Sequence, residues 1–207
     1  MAPKYKVTSI DAKGSVESIR YLLAYMGEEF EDVRFQWDEW QNSDLKSRIP
    51  FGRLPMVEVG GQVLTQPVSI CRYLGRQAGL CGDNAFQDLQ IDIIADTLVD
   101  LRLPVLQFLF ERIEGTKKLK KDAFKNETLP FYFKRLDAIV KENEGYLANK
   151  RLSWVDLSFV AMTEFLDATC EVANVTDAYP NLYALRNRVF DLPQIKKWRS
   201  VRPVSQH

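Results

Sequence analysis

The chain carries one histidine, His207, and it is the last residue. A Ser-His-Asp or Cys-His nucleophile system needs a histidine held in an ordered core, and a terminal residue does not supply one. A histidine metal cluster is excluded on the same ground. The three cysteines, Cys71, Cys81 and Cys170, are unevenly spaced and form no C-x-x-C or zinc pattern, so they read as buried or idle thiols. G-x-G-x-x-G and phosphate-loop signatures are missing. Any catalysis must therefore use hydroxyls, carboxylates, cations or a nucleophile borrowed from a second substrate. Two hydroxyls stand at the opening of the chain. Ser9 lies near the end of the alternating run Tyr5-Lys6-Val7-Thr8-Ser9-Ile10, a strand pattern. Ser15 follows Lys13-Gly14 and precedes a helical pattern, where it is placed to act as an N-cap.

The elements that must position these groups fall into two kinds. After the first strand, Val16, Ile19, Leu23 and Met26 make one apolar stripe on a helix that Gly27 ends. Phe30 to Phe35 alternates as a second strand, and Gln36 to Arg48 is a loop or short helix. Met56-Val57-Glu58-Val59, Gly60-Gly61 and Gln62-Val63-Leu64 spell a hairpin on a two-residue turn. Pro67 through Ala78 is a helix with proline in its first turn. From Phe86 onward the strand signal stops. Phe86, Leu89, Ile93, Leu98 and Leu101 mark a long helix, and Pro104 inside it predicts a kink. Leu129, Phe133, Leu136 and Val140 mark another, closed by Gly145. Ser153-Trp154-Val155-Asp156 has the form of a capping box for a helix carrying Val155, Phe159, Met162 and Leu166. Two short helices finish the chain. The pattern predicts a small thioredoxin-like α/β domain over residues 1–81 and an all-α domain over residues 82–207.

Composition bounds the partners. The 207 residues include 28 basic and 28 acidic side chains, so no long-range field attracts nucleic acid or an anionic membrane. No apolar run approaches the roughly 20 residues that span a bilayer. Met1-Ala2-Pro3-Lys4-Tyr5-Lys6 lacks the apolar stretch of a signal peptide, which makes the cytosol the expected location.

Pro50-Phe51-Gly52-Arg53-Leu54-Pro55 stands just before the hairpin, and Gln66-Pro67-Val68-Ser69-Ile70-Cys71-Arg72-Tyr73-Leu74 opens the helix after it. Together with Trp40, Lys46, Phe30-Glu31-Asp32, Ile94-Ala95-Asp96-Thr97 and Leu152-Ser153-Trp154-Val155-Asp156, these runs resemble sigma-class glutathione transferases along nearly the whole chain. The resemblance implies a homodimer that binds glutathione as co-substrate and takes a small hydrophobic electrophile or ligand. It implies a cis peptide at Pro55 and a Leu54 backbone that meets the cysteinyl unit. It places Trp40 and Lys46 at the glycyl carboxylate, Arg53 where its fork could meet a carboxylate, Gln66 among the glutathione contacts, Pro67 where a serine grips the γ-glutamyl carboxylate, and Asp100 across the dimer at the amino group of the partner's glutathione. Arg102 and Gln107 would line the electrophile pocket of the helical domain.

Several positions depart from that family's pattern. Ser9 stands where a tyrosine hydroxyl holds the thiolate, and Ser15 where many members keep an arginine. Pro67 replaces a serine and removes both a hydroxyl and an N–H from an anion-binding helix start. Val99 interrupts the family's metal-binding aspartates, so no metal is expected. Ser15 or Ser9 could serve as a serine-type thiol activator, since a helix start favours a thiolate. The expected activity is therefore weak conjugation or isomerisation with glutathione; the alternative is a non-catalytic ligand-binding or crystallin-like structural descendant.

Overall fold

The computed structural model describes residues 3–205. His207, and the Met1-Ala2 part of the segment read for a signal peptide, lie outside the described residues. The first strand, β1 (Tyr5–Ile10), runs parallel to β2 (Phe30–Phe35) and antiparallel to β3 (Met56–Val59), which pairs with β4 (Gln62–Thr65). The sheet order is β2-β1-β3-β4. Gly60 and Gly61, at φ 55° and 77°, make the turn between β3 and β4, where both residues need positive φ. Helix α1 (Val16–Tyr25) links β1 to β2 and α4 (Pro67–Gln77) follows β4. The polar stretch after β2 forms two short helices, α2 (Trp37–Gln41) and α3 (Leu45–Arg48).

Helices then take over: α5 (Ala85–Leu109), α6 (Glu114–Ala123), α7 (Leu129–Glu142), α8 (Trp154–Cys170), α9 (Pro180–Phe190) and α10 (Pro193–Val201). The architecture is thus a thioredoxin-like four-stranded sheet followed by a helical assembly, as the element order predicts. Two features go beyond what the sequence pattern shows. Phe86, Leu89 and Ile93 lie on α5, but they are 66%, 50% and 54% exposed; the buried face is Ile91, Ile94, Leu98, Leu101, Val105 and Phe108. Residues apolar on both faces give periodicity no single direction, so the stripe that faces the core could not be chosen. Helix α6 is absent from the periodicity because its sequence, Glu-Gly-Thr-Lys-Lys-Leu-Lys-Lys-Asp-Ala, buries nothing. Ion pairs Glu114–Lys117 and Lys118–Asp122 support it along its own surface.

Helix α1 is the hub. It packs on the sheet, α4, α8 and α10, and so is buried on most sides, including Glu17 and Arg20. Arg20 is fully buried and satisfied: it donates to Glu17, Asp32 and the Ala12 carbonyl at 3.0 Å and to Ser9 Oγ at 2.9 Å. From the other side, Arg202 donates to Glu17 at 2.8 Å and to Glu164 at 2.6 Å, and the Trp198 indole donates to Glu17 at 2.8 Å. Removing one member of such a buried set leaves a charge unpaired, at a cost of about 3–5 kcal/mol. Helix α8 starts on the capping box read from the sequence. Asp156, fully buried, accepts from the Ser153 N–H and hydroxyl at 2.7 Å and from the Leu147 N–H at 2.8 Å. Next to it, a Cβ at Gly75 of α4 would stand 2.6 Å from the Trp154 ring, so glycine is what lets α4 lie against the start of α8.

Candidate functional site

Two cavities meet where the chain's first turn faces α4 and α5. The larger, of about 390 Å³, runs between α1, α4, α5 and α8 and is walled by Leu98, Val99, Trp154, Met162 and Phe165. The smaller, of about 220 Å³, lies over the loop before β3 and is lined by Pro50, Phe51, Arg53, Leu54, Pro55 and Thr65, together with Leu106 of α5. Ser15, Gln66, Pro67 and Arg102 line both.

Local sequence explains each placement. Gln66 turns the chain from β4 into α4 at φ 68°, which sets its side chain at the cavity mouth. Pro67 is the first residue of α4, and the first intrahelical bond runs from the Ile70 N–H to the Gln66 carbonyl. The helix start therefore offers the N–H groups of Val68 and Ser69 and, in the larger cavity, the Ser69 side chain. The Leu54–Pro55 bond is cis, as the resemblance implies. Leu54 makes no backbone–backbone hydrogen bond among the described residues, so its N–H and C=O are open to an extended peptide.

The two serines part company. Ser9 is 2% exposed and lines neither cavity. Its hydroxyl donates to the Ile10 carbonyl at 2.9 Å and accepts from Arg20 at 2.9 Å, so both its capacities are used inside the fold. Ser15 is half-buried, lines both cavities and makes no side-chain capping bond. The N-cap role that its position offers is thus not taken up by the hydroxyl.

Of the remaining sequence candidates, Arg53, Leu54, Pro55, Gln66, Pro67 and Arg102 come together with Ser15, whereas Trp40, Lys46, Asp100 and Gln107 do not line the cavities. Trp40 is buried against Ile49 and Met56 beneath the loop. Lys46 is exposed and donates to Gln41 at 3.3 Å; its carbonyl lies beside Gly52, next to the smaller cavity. Asp100 and Gln107 face outward from α5. Thr65, Ser69, Ser18 and Ser158 line the cavities without having been singled out from sequence. Each sits on a regular element, and only the packing of α4 against α1 and α8 shows which way it faces.

Cys71 also reaches the larger cavity, but burial pushes its thiol up to about 12, so it stays protonated and poorly nucleophilic. Burial also lowers the Arg102 guanidinium from its ordinary value, and no carboxylate opposes that effect. Arg102 Nε is buried without a hydrogen-bond partner among the described residues. Among those residues, no group of three or more His, Cys, Asp or Glu side chains is placed to hold a metal ion, and no helix is long and apolar enough to cross a membrane.

A thioredoxin-like sheet, a cis-proline loop beside the start of α4 and an appended helical assembly together define a class, and the chain belongs to it: the glutathione S-transferase family. The family's N-terminal domain matches residues 5–76 and its C-terminal domain residues 99–202. Among curated relatives, glutathione S-transferase S1 of Drosophila melanogaster is 36% identical over 202 residues, covering 98% of this chain and 80% of the fly protein. Hematopoietic prostaglandin D synthase of Gallus gallus is 35% identical, covering 97% of this chain and 98% of the relative. Among solved structures, prostaglandin synthase D of Nilaparvata lugens superposes with a TM-score of 0.92 at 40% identity, covering 98% and 100% of the two chains.

Proposed function

We propose that the protein binds glutathione in the smaller cavity and conjugates or isomerises small electrophiles with it. The observation that carries this reading is the open Leu54 backbone beside cis-Pro55, in a cavity that Ser15 and Arg102 also line. An extended tripeptide can pair with Leu54 as an added strand, its central side chain turned toward Ser15. Arg53 stands at one end for a carboxylate, and Gln66 with the N–H groups of Val68 and Ser69 stand at the other. The residues present thus suit glutathione, although Pro67 withholds one donor pair. The apolar walls of the larger cavity suit the hydrophobic part of an electrophile.

Ser15, not Ser9, is the hydroxyl for the sulfur. It can donate to a thiolate once the thiol proton has left to water; the sulfur then forms the bond to the electrophile's carbon, and the leaving group departs with its electron pair. A hydroxyl is a weaker support than the full donor set of the resembled family, and the activity is expected to be low. The engaged Ser9 side chain is also what a non-catalytic ligand carrier would show. Calorimetric titration with glutathione, followed by a conjugation assay with chlorodinitrobenzene, separates the two. Binding with turnover supports the enzyme; binding without turnover supports the carrier; absence of binding refutes the glutathione site.

The assembly expected is a homodimer. The exposed apolar row Phe86, Leu89 and Ile93 on α5 is the face that supports it, with Asp100 further along the same helix directed at the partner's site. Residues 1–81 would form the glutathione domain and 82–207 the substrate domain of a cytoplasmic protein.

A further inference from the structure

Among the described residues, Arg102 is the one cation lining both cavities. It is also one of the few side chains with a buried nitrogen left without a partner among the described residues. We propose that Arg102 is a catalytic residue of this protein, holding the sulfur anion of glutathione where the resembled family uses a tyrosine hydroxyl; this rests on the glutathione-site reading above.

The argument starts from what surrounds the guanidinium. On α5 its neighbours one turn away are Leu98, Val99, Val105 and Leu106, which offer it no acceptor. The charged groups facing the same space are Arg53 across the smaller cavity and Arg72 and Asp96 along the larger one. Arg72 is already bound to Asp92 at 2.8 Å, and Arg102 forms no ion pair with Asp96. A half-buried guanidinium whose Nε is buried without a partner is costly to keep, so the site is arranged for an anion that arrives with a ligand.

Which anion follows from position. The two carboxylates of glutathione have their own receivers, Arg53 at one end and the start of α4 at the other. The cysteinyl side chain, turned away from Leu54, is left with the lining residues that belong neither to the loop nor to the β4–α4 turn, which are Ser15, Arg102 and Leu106. Arg102 keeps its proton throughout, because a guanidinium does not serve as a base in this range. The thiol proton leaves to water through the open cavity and the S–H electron pair stays on sulfur. Arg102 then donates an N–H to that sulfur while its charge favours the anionic form. The C–S bond forms from the held thiolate, and the electrophile's leaving group takes its own electron pair.

The test compares wild type with Arg102→Leu and Arg102→Lys. Bound glutathione is titrated by thiolate absorbance across pH, and S-methylglutathione, which has no ionisable thiol, is titrated by calorimetry. The expected result is unchanged S-methylglutathione affinity in both variants. The midpoint for thiol ionisation should rise by at least about one pH unit in Arg102→Leu, with Arg102→Lys in between. Equal midpoints in all three proteins, with S-methylglutathione still bound, overturn the role of Arg102 and leave the glutathione site standing. Failure of wild type to bind either peptide overturns both readings.

Discussion

Exchanging the two N-terminal serines for alanine separates stability from chemistry. Ser9 Oγ accepts a hydrogen bond from the fully buried Arg20 at 2.9 Å and donates one to the Ile10 carbonyl. Arg20 keeps its bonds to Glu17, Asp32 and Ala12 when Ser9 is truncated, so one charge-assisted bond is lost and not the network. Such a bond contributes about 1.5–3 kcal/mol. In a chain of this length each kcal/mol moves the melting temperature by about 2–4 °C, so Ser9→Ala should melt roughly 3–12 °C below wild type. Because Ser9 lines neither cavity, its kcat/KM toward chlorodinitrobenzene should match wild type. Ser15 has no capping bond to lose, so Ser15→Ala should melt with wild type. Loss of its donor to the thiolate should lower kcat/KM by about 10- to 100-fold. Scanning fluorimetry and steady-state kinetics on both variants make the comparison. If Ser9→Ala loses activity at an unchanged melting temperature, or Ser15→Ala is fully active, the assignment of the two hydroxyls is wrong.

Pro67→Ser should return a hydroxyl and an N–H to the start of α4 and tighten glutathione by at least about tenfold in calorimetry; no change would mean that Ser69 and Val68 already serve that end. Phe86→Glu combined with Ile93→Glu should shift the protein from dimer to monomer in sedimentation, because both side chains are more than half exposed on one face of α5. Asp156 gives a pH signature opposite to that of an ordinary surface carboxylate. Burial raises it from 3.8 to about 6, against the pull of the Leu147 and Ser153 donors, so the folded state holds its proton more tightly than the unfolded chain. Its contribution to stability is complete below about pH 4 and is lost as pH rises through about 6. Relative to Asp156→Asn, wild type should therefore gain roughly 2–3 kcal/mol between pH 7 and pH 4 in denaturant titrations, and a flat difference would refute the raised value.

The elements of the sheet were legible because their signals are local. Gly60-Gly61 fixes a hairpin and Pro67 a helix start whatever surrounds them, and the Ser153–Asp156 box begins α8 as written. What was not legible depends on which faces meet. Phe86 and Ile91 are equally apolar in the sequence, and only packing shows that the second is inside. Helix α6 is held by charge pairs that leave no apolar period to read. At the site, the motif residues Arg53, Leu54, Pro55 and Gln66 assemble as a unit because they are joined by a short stretch of chain across one hairpin. The states of Ser9, Ser15 and Arg102 depend on partners far away in sequence or on the lack of them, and residue type alone carries neither.

The clasp between Glu17 and the residues Trp198 and Arg202 has a consequence for how the molecule is made. The two ends of that contact are 181 and 185 positions apart. On a ribosome, α1 and the sheet emerge long before α10 has been translated. During that interval Glu17, at 1% final exposure, has Arg20 beside it but lacks its two donors, Trp198 on α10 and Arg202 just after it. The N-terminal half must therefore wait, with one face of α1 still open to water, until nearly all of the described chain has been synthesised. The sheet domain is for that reason a poor unit to excise: cut free after α4, it keeps its strand pairing but carries a half-neutralised carboxylate on a helix that was shaped to be covered.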